Sequence, residues 1–78
     1  MSKLNSAIIK KKISEFLKVP LEKLNDEVEL RTLVSNSFIL IELIIELQNE
    51  FDIVLMQEEL MGVVKLSDMI KLLESKAT

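Results

Sequence analysis

Hydrophobic positions along the chain recur at helical spacing and predict an all-α protein. A first helix is expected over about residues 4–17, ending before Pro20. The clearest helix should begin at Asn36 or Ser37, with Asn36 as its N-cap, and end near Phe51. Its core-facing positions follow one another every three or four residues. They are Leu40, Leu43, Ile44, Leu47 and Phe51.

Two further helices and a long connection complete the predicted fold. A short helix is expected over residues 57–61, closed by Gly62 as a left-handed cap, and a last helix over about residues 66–75. The buried stripe of that last helix is formed by Leu66, Met69, Ile70 and Leu73. Residues 18–35 form a long connection whose apolar side chains should pin it to the core, with a helical turn near residues 21–25. This pattern predicts an irregular three- to four-helix bundle with a long first loop.

Composition restricts what a chain of 78 residues can do. We expect one stand-alone domain over residues 1–78, because so short a chain forms a single small core. The sequence contains no Cys and no His, which removes thiol nucleophiles, thiolate metal sites and the commonest general base. No Ser lies in a glycine elbow. We therefore expect no catalytic residue and no enzyme activity of the chain's own.

The net charge of −3 is unevenly distributed. Residues 1–20 carry five Lys and one Glu, for +4; residues 21–59 carry ten acids and two bases, for −8; residues 60–78 come to +1. The acidic middle argues against a nucleic-acid partner, which needs a basic face. It suits a partner with a basic surface. The lysines at positions 10–12 are interpreted as a solvated helix face.

Acidic residues at positions 42, 46 and 50 share one face of the second predicted helix. We interpret them as a solvated face rather than a cation site, and we expect no metal. An apolar run of four residues at 38–41 is too short to span a bilayer, and the N-terminus lacks a secretory signal. We therefore expect a cytoplasmic protein that does not insert into membranes.

The segment that opens the second helix resembles the acyl and peptidyl carrier protein family. That family has an Asp-Ser-Leu tripeptide at this helix start, then a Val-Glu-Leu-like segment, and the helix ends near Glu-Glu-Phe. In this sequence Ser37 falls on the modified Ser, and Ile-Glu-Leu at 41–43 falls on the second segment. Glu-Phe at 50–51 falls on the helix end, and Glu-Glu at 58–59 on a short acidic third helix. The resemblance covers essentially the whole chain.

The resemblance implies a cofactor and a set of partners. Ser37, flanked by Asn36 and Phe38, would carry a covalent 4′-phosphopantetheine arm attached by a phosphopantetheinyl transferase. The arm's thiol would hold acyl or aminoacyl groups as thioesters, which acyl-loading, condensing or modifying enzymes load, extend or remove. The position also suits a phosphate on physical grounds, because a helix N-terminus presents free N–H groups and a partial positive charge.

The sequence departs from the family pattern around the modified Ser. Asn36 stands where the family has Asp, and Val34 and Ser35 replace the usual Gly and its neighbour. A β-branched residue disfavours positive φ, so the loop backbone should differ there. The second helix is also unusually apolar, with isoleucines expected on its exposed side beside the acids. The residues implied to dock partner enzymes are Ile39, Ile41, Glu42, Ile45, Glu46 and Glu50.

An apolar docking surface predicts dedicated partners, as in polyketide, nonribosomal peptide or related lipid biosynthesis, rather than general fatty acid synthesis. Two alternatives stay open. One is a degenerate carrier-like module that is not modified and uses the isoleucines to bind another protein or a second copy. The other is a structural bundle whose apolar excess is all core. We expect a monomer rather than a dimer. A cargo cavity, if one exists, would be lined by Leu40, Ile44, Leu47 and Ile70.

Overall fold

The computed structural model describes residues 4–77, which fold as four α-helices with two 3₁₀ turns in the first loop. The helices are α1 (Ser6–Leu17), α2 (Ser37–Phe51), α3 (Gln57–Leu60) and α4 (Leu66–Lys76). These residues contain no β-strand. The predicted all-α class with a long first loop is confirmed.

Buried apolar side chains from α1, α2, α4 and the connections between helices form one core. In α1 and α2, the residues with no exposed surface are Ile9, Ile13, Leu43 and Leu47. All four residues of the predicted α4 stripe are buried as well. The rest of the core is formed by Leu24, Leu30, Ile53 and Leu55, which lie outside the three long helices. No polar or charged residue is buried within residues 4–77, so hydrophobic burial alone holds the interior together.

The long connection between α1 and α2 is pinned to the core, as the sequence predicts. It contains a 3₁₀ turn at Leu21–Lys23, where a helical turn was expected, and a second at Leu30–Leu33, which the sequence pattern did not indicate. Leu24 and Leu30 are almost fully buried. A loop of this length is therefore ordered because it contributes two side chains to the core.

The same connection closes the N-terminus of α4. The backbone N–H of Leu66 donates to the carbonyl of Val28 at 2.8 Å, and the N–H of Ser67 donates to the carbonyl of Asp26 at 3.1 Å. These are two of the N–H groups that a helix cannot satisfy internally. The loop backbone therefore caps α4, and these two hydrogen bonds fix the loop against the start of the helix.

Gly62 is not a left-handed cap, so that prediction was wrong. Within residues 4–77 no glycine has a positive φ. The residue after α3, Met61, is right-handed with φ −63° and ψ −24°. The chain then turns through a tight bend in which the N–H of Val63 donates to the carbonyl of Leu60 at 3.0 Å. Such a bend closes the helix end with ordinary backbone angles, and it does not require glycine.

Left-handed residues instead end the two longer N-terminal helices, and neither is glycine. They are Lys18 after α1, with φ 59°, and Asp52 after α2, with φ 55°. After α2 the chain is held by Gln48, whose Oε1 accepts a hydrogen bond from the N–H of Leu55 at 2.9 Å. This contact places Leu55 in the core and gives Gln48 a structural role on α2.

The Asp68 carboxylate provides a pH-dependent contribution to the start of α4. Its Oδ2 accepts hydrogen bonds from the N–H groups of Lys65 at 2.9 Å and Val64 at 3.0 Å. These backbone bonds, Lys65 first, hold the pKa of Asp68 below its ordinary value. Because the folded pKa is depressed, the stabilisation is present above the unfolded-state pKa and is lost as the pH falls through the folded value.

We therefore expect Asp68→Asn to lower the free energy of unfolding most above about pH 5 and progressively less at more acidic pH. Urea unfolding of both proteins across a pH series measures this difference. Asn keeps an acceptor oxygen and removes only the charge, so the pH dependence isolates the carboxylate. A difference that stays constant with pH would contradict the assigned role.

Candidate functional site

Ser37 is the first residue of α2 and is exposed at the end of the long connection. The chain reaches it in extended conformation, with φ −126° at Val34 and φ −157° at Asn36. Within residues 4–77 the Ser37 hydroxyl makes no hydrogen bond. The hydroxyl is therefore accessible and is not used to cap the helix.

Asn36 is the N-cap of α2, as predicted. Its Oδ1 accepts a hydrogen bond from the N–H of Ile39 at 3.1 Å. In the described part of the chain the N–H groups of Ser37 and Phe38 have no hydrogen-bond partner, as expected for the first helical positions. The first turn of α2 carries no acidic residue. A phosphate on the Ser37 oxygen would thus meet free N–H groups and the positive end of the helix dipole.

The exposed side of α2 carries an apolar stripe that starts beside Ser37. The stripe consists of Phe38, Ile41 and Ile45, which are 77%, 52% and 50% exposed. Their spacing of three and four residues places them in one row along the helix. Phe38 was predicted as a neighbour of the attachment site, and the structure adds it to this row. We call these three residues the apolar stripe.

Ile39 does not belong to the apolar stripe, because it is less exposed than Ile41 and Ile45 and lies only partly on the predicted exposed side. Ile39 is partly buried, and it lies four residues before the fully buried Leu43. Residues four apart share a helix face, so Ile39 lies at the edge of the face that α2 turns to the core.

The three glutamates of α2 are not equivalent. Glu42 is exposed and makes no ion pair within residues 4–77. The other two bind one cation of α1, because Lys12 Nζ lies 2.9 Å from Glu46 Oε2 and 3.2 Å from Glu50 Oε1. Hydrogen bonds to Glu46 and then to Glu50 raise the pKa of Lys12. One lysine of the same chain therefore balances one of the three negative charges on the predicted acidic face.

The lysines at 10–12 were interpreted as a solvated face; all three retain exposed surface, but two of them also form ion pairs with other elements. Lys10 Nζ lies 3.0 Å from Asp26 Oδ1 on the long connection, and Lys12 binds α2. Lys11 is exposed and forms no ion pair in the part of the chain that the structure describes. The sequence gives an uneven charge distribution, but it does not show which lysine meets which carboxylate across two elements.

A small groove of about 230 Å³ lies beside the start of α2. It is lined by Leu30, Arg31, Leu40, Val63 and Val64. Of the residues expected to line a cargo cavity, only Leu40 faces this groove, whereas Leu47 and Ile70 are buried in the core. Leu40 thus opens onto a surface groove, whereas Leu47 and Ile70 contribute to the core.

Other kinds of site have no support in the described residues. The Asp and Glu side chains there include no group of three that could hold a metal ion. None of the helices there combines the length and the hydropathy that crossing a bilayer requires.

A protein-family model described as a phosphopantetheine attachment site matches residues 7–73. This region is most of the chain and includes the exposed hydroxyl at the start of α2. The chain therefore belongs to the phosphopantetheine-binding carrier family. Members hold 4′-phosphopantetheine covalently and carry acyl groups, and they are not themselves catalysts. Searches of curated proteins and of solved structures gave no significant match.

The cap at the start of α2 allows a direct test of this local geometry. We expect Asn36→Ala to lower the free energy of unfolding by about 1 kcal/mol, because the N–H of Ile39 loses its acceptor. Asn36→Asp should retain the stability, since Asp caps about as well as Asn and its charge favours a helix N-terminus. Urea unfolding measures both.

Asn49→Ala is the matched control, because Asn49 is exposed near the other end of the same helix and makes no hydrogen bond with its side chain within residues 4–77. It should not lower the stability. Equal losses for the alanine variants at positions 36 and 49 would show that Asn36 does not act as the cap.

Proposed function

We propose that this protein is an acyl or peptidyl carrier in which Ser37 bears the 4′-phosphopantetheine arm. The observation that supports this residue is its free, exposed hydroxyl at a helix N-terminus with two unused N–H groups and no carboxylate in the first turn. No other Ser of the matched region combines these features. Ser14 donates its hydroxyl to the carbonyl of Val19 at 2.6 Å, and Ser35 lies in the loop before the helix. Ser67, in the first turn of α4, is only partly exposed, and that turn contains a carboxylate.

Attachment requires a transferase that supplies the base, because the chain has no His of its own. The Ser37 oxygen attacks the β-phosphorus of coenzyme A and forms the phosphodiester, and adenosine 3′,5′-bisphosphate leaves as the pyrophosphate bond breaks. The Ser37 proton passes to the transferase. This chain then contributes the position of the oxygen and the N–H groups that face the new phosphate. Asn36 adds no negative charge there, so the phosphate meets no repulsion from the cap.

The same proposal assigns the partner surface to the apolar stripe with Glu42. Phe38, Ile41 and Ile45 run from the attachment site along α2 with at least half of each side chain exposed. Exposed apolar rows on a small domain commonly mark a contact surface for another protein. Glu46 and Glu50 lie at the far end of this surface, where they pair with Lys12.

An apolar surface of this kind supports dedicated loading, condensing or modifying enzymes of polyketide, nonribosomal peptide or related lipid biosynthesis. The same proposal includes a cytoplasmic location and a monomeric state. The alternative is an unmodified helical module that binds another protein or a second copy through the apolar stripe. A sedimentation coefficient that rises with concentration would favour the second-copy form of that alternative.

Incubation with coenzyme A and a broad-range phosphopantetheinyl transferase tests the attachment residue. We expect one phosphopantetheine added per chain by intact mass, complete loss of the addition in Ser37→Ala, and full addition in Ser35→Ala. Ser35 is a matched control because it is exposed and lies two residues away. If several transferases add no mass, the unmodified module is favoured. If the addition persists in Ser37→Ala, the arm is attached to a different residue.

A second experiment tests the apolar stripe as a docking surface. We expect Ile41→Asp and Ile45→Asp to lower kcat/KM for modification by at least about fivefold, because each places a charge in an apolar contact. Val54→Asp is the control, since Val54 is 72% exposed but lies outside α2. Circular dichroism checks that the variants stay folded. Equal changes in kcat/KM for Ile45→Asp and Val54→Asp would show that the apolar stripe is not the docking surface.

A further inference from the structure

Lys12 is the only cation within residues 4–77 that contacts the α2 glutamates. It reaches them from α1, and its side chain is 22% exposed. Glu46 and Glu50 are one helical turn apart, so one ammonium group binds both carboxylates at hydrogen-bond distance. Their side chains remain 35% and 48% exposed. The pair is therefore at the surface, where an approaching protein meets both the acids and the lysine.

The ion pair changes what α2 presents to a partner. Without Lys12, three carboxylates would stand along the helix at positions 42, 46 and 50, beside the apolar stripe. With Lys12, the two distal acids and their lysine carry a net charge of −1, and Glu42 is the only acid of α2 that lacks an ion pair within residues 4–77. A basic partner must compete with the bound ammonium group and is also repelled by it. An apolar partner surface meets no such opposition.

We propose that Lys12 is a specificity-determining residue, which masks Glu46 and Glu50 and directs recognition to the apolar stripe and Glu42. This inference rests on the proposed function, in which partners dock on α2. Lys12 acts by disfavouring partners that recognise an acidic helix through basic side chains, which is one of the two general routes to specificity. The partner that fits this surface has an apolar docking patch with few basic groups.

The chain offers a close control for this test. Lys12→Met and Lys11→Met each remove one positive charge from α1 and keep an unbranched apolar stem of similar length. Only the first opens the ion pair, because Lys11 has no ion-pair partner within residues 4–77. The two variants therefore have the same net charge and differ in whether Glu46 and Glu50 are masked. Adding Glu46→Gln and Glu50→Gln to Lys12→Met removes the acids that would be unmasked.

The measurement is kcat/KM for modification by a phosphopantetheinyl transferase whose carrier-binding surface is basic. We expect Lys12→Met to raise it about threefold at low salt, the size of one exposed ion pair. Lys11→Met should change it less, and the triple variant should lose the gain. At about 1 M salt, where charges are screened within about 3 Å, the difference between the two lysine variants should disappear.

A parallel binding measurement keeps this inference separate from the proposed function. An oligolysine peptide, titrated by calorimetry against the same variants, should bind Lys12→Met more tightly than Lys11→Met, whether or not Ser37 is ever modified. Absence of modification in the wild-type protein would refute the carrier proposal. The peptide titration would still show whether Lys12 masks Glu46 and Glu50. If the two lysine variants bind the peptide with equal affinity, or if Lys12→Met binds it more weakly, the proposed masking role of Lys12 is overturned.

Discussion

Hydrophobic burial in a short chain is the constraint on which the rest of this structure depends. A domain of this size buries only about 60% of the surface that its unfolded chain exposes, so three helices cannot supply the core alone. The loops add four buried side chains, Leu24, Leu30, Ile53 and Leu55. Because Leu24 and Leu30 must reach the interior, the connection before α2 follows a fixed path. That path ends at Asn36, and it thereby fixes where α2 begins and where the Ser37 hydroxyl lies.

The same constraint divides α2 into two faces with different roles. Leu43 and Leu47 are fully buried, and Gln48 holds the following segment against the core through the N–H of Leu55. The opposite face then has no structural partner within residues 4–77, yet it carries Phe38, Ile41 and Ile45. Folding does not require apolar side chains there. Their exposure on this face is the observation on which the proposed contact with another protein rests.

The sequence was sufficient for features that depend on neighbours along the chain. Helical spacing gives α1, α2 and α4 to within about two residues, and the Asn36 cap follows from residue type and position. Features set by contacts between elements were not predictable in the same way. The predicted left-handed cap at Gly62 is absent because a bend closes α3 instead, in which the N–H of Val63 donates to the carbonyl of Leu60. This bend needs no left-handed backbone. The position of Ile39 and the pairing of Lys12 both depend on how α2 is rotated against α1, which no local pattern specifies.

Charge along α2 is arranged so that few unpaired carboxylates lie near Ser37. The cap is Asn36 rather than an acid, and the first turn contains no carboxylate. At the other end, Lys12 binds Glu46 and Glu50, so Glu42 is the only acid of α2 without an ion pair within residues 4–77. Long-range attraction, which brings a basic partner to an acidic helix, is correspondingly weak. On the proposed docking surface, recognition then depends on close apolar contact, which is short-ranged and is not screened by salt. A carrier with this surface would select partners by the shape of the apolar stripe rather than by charge.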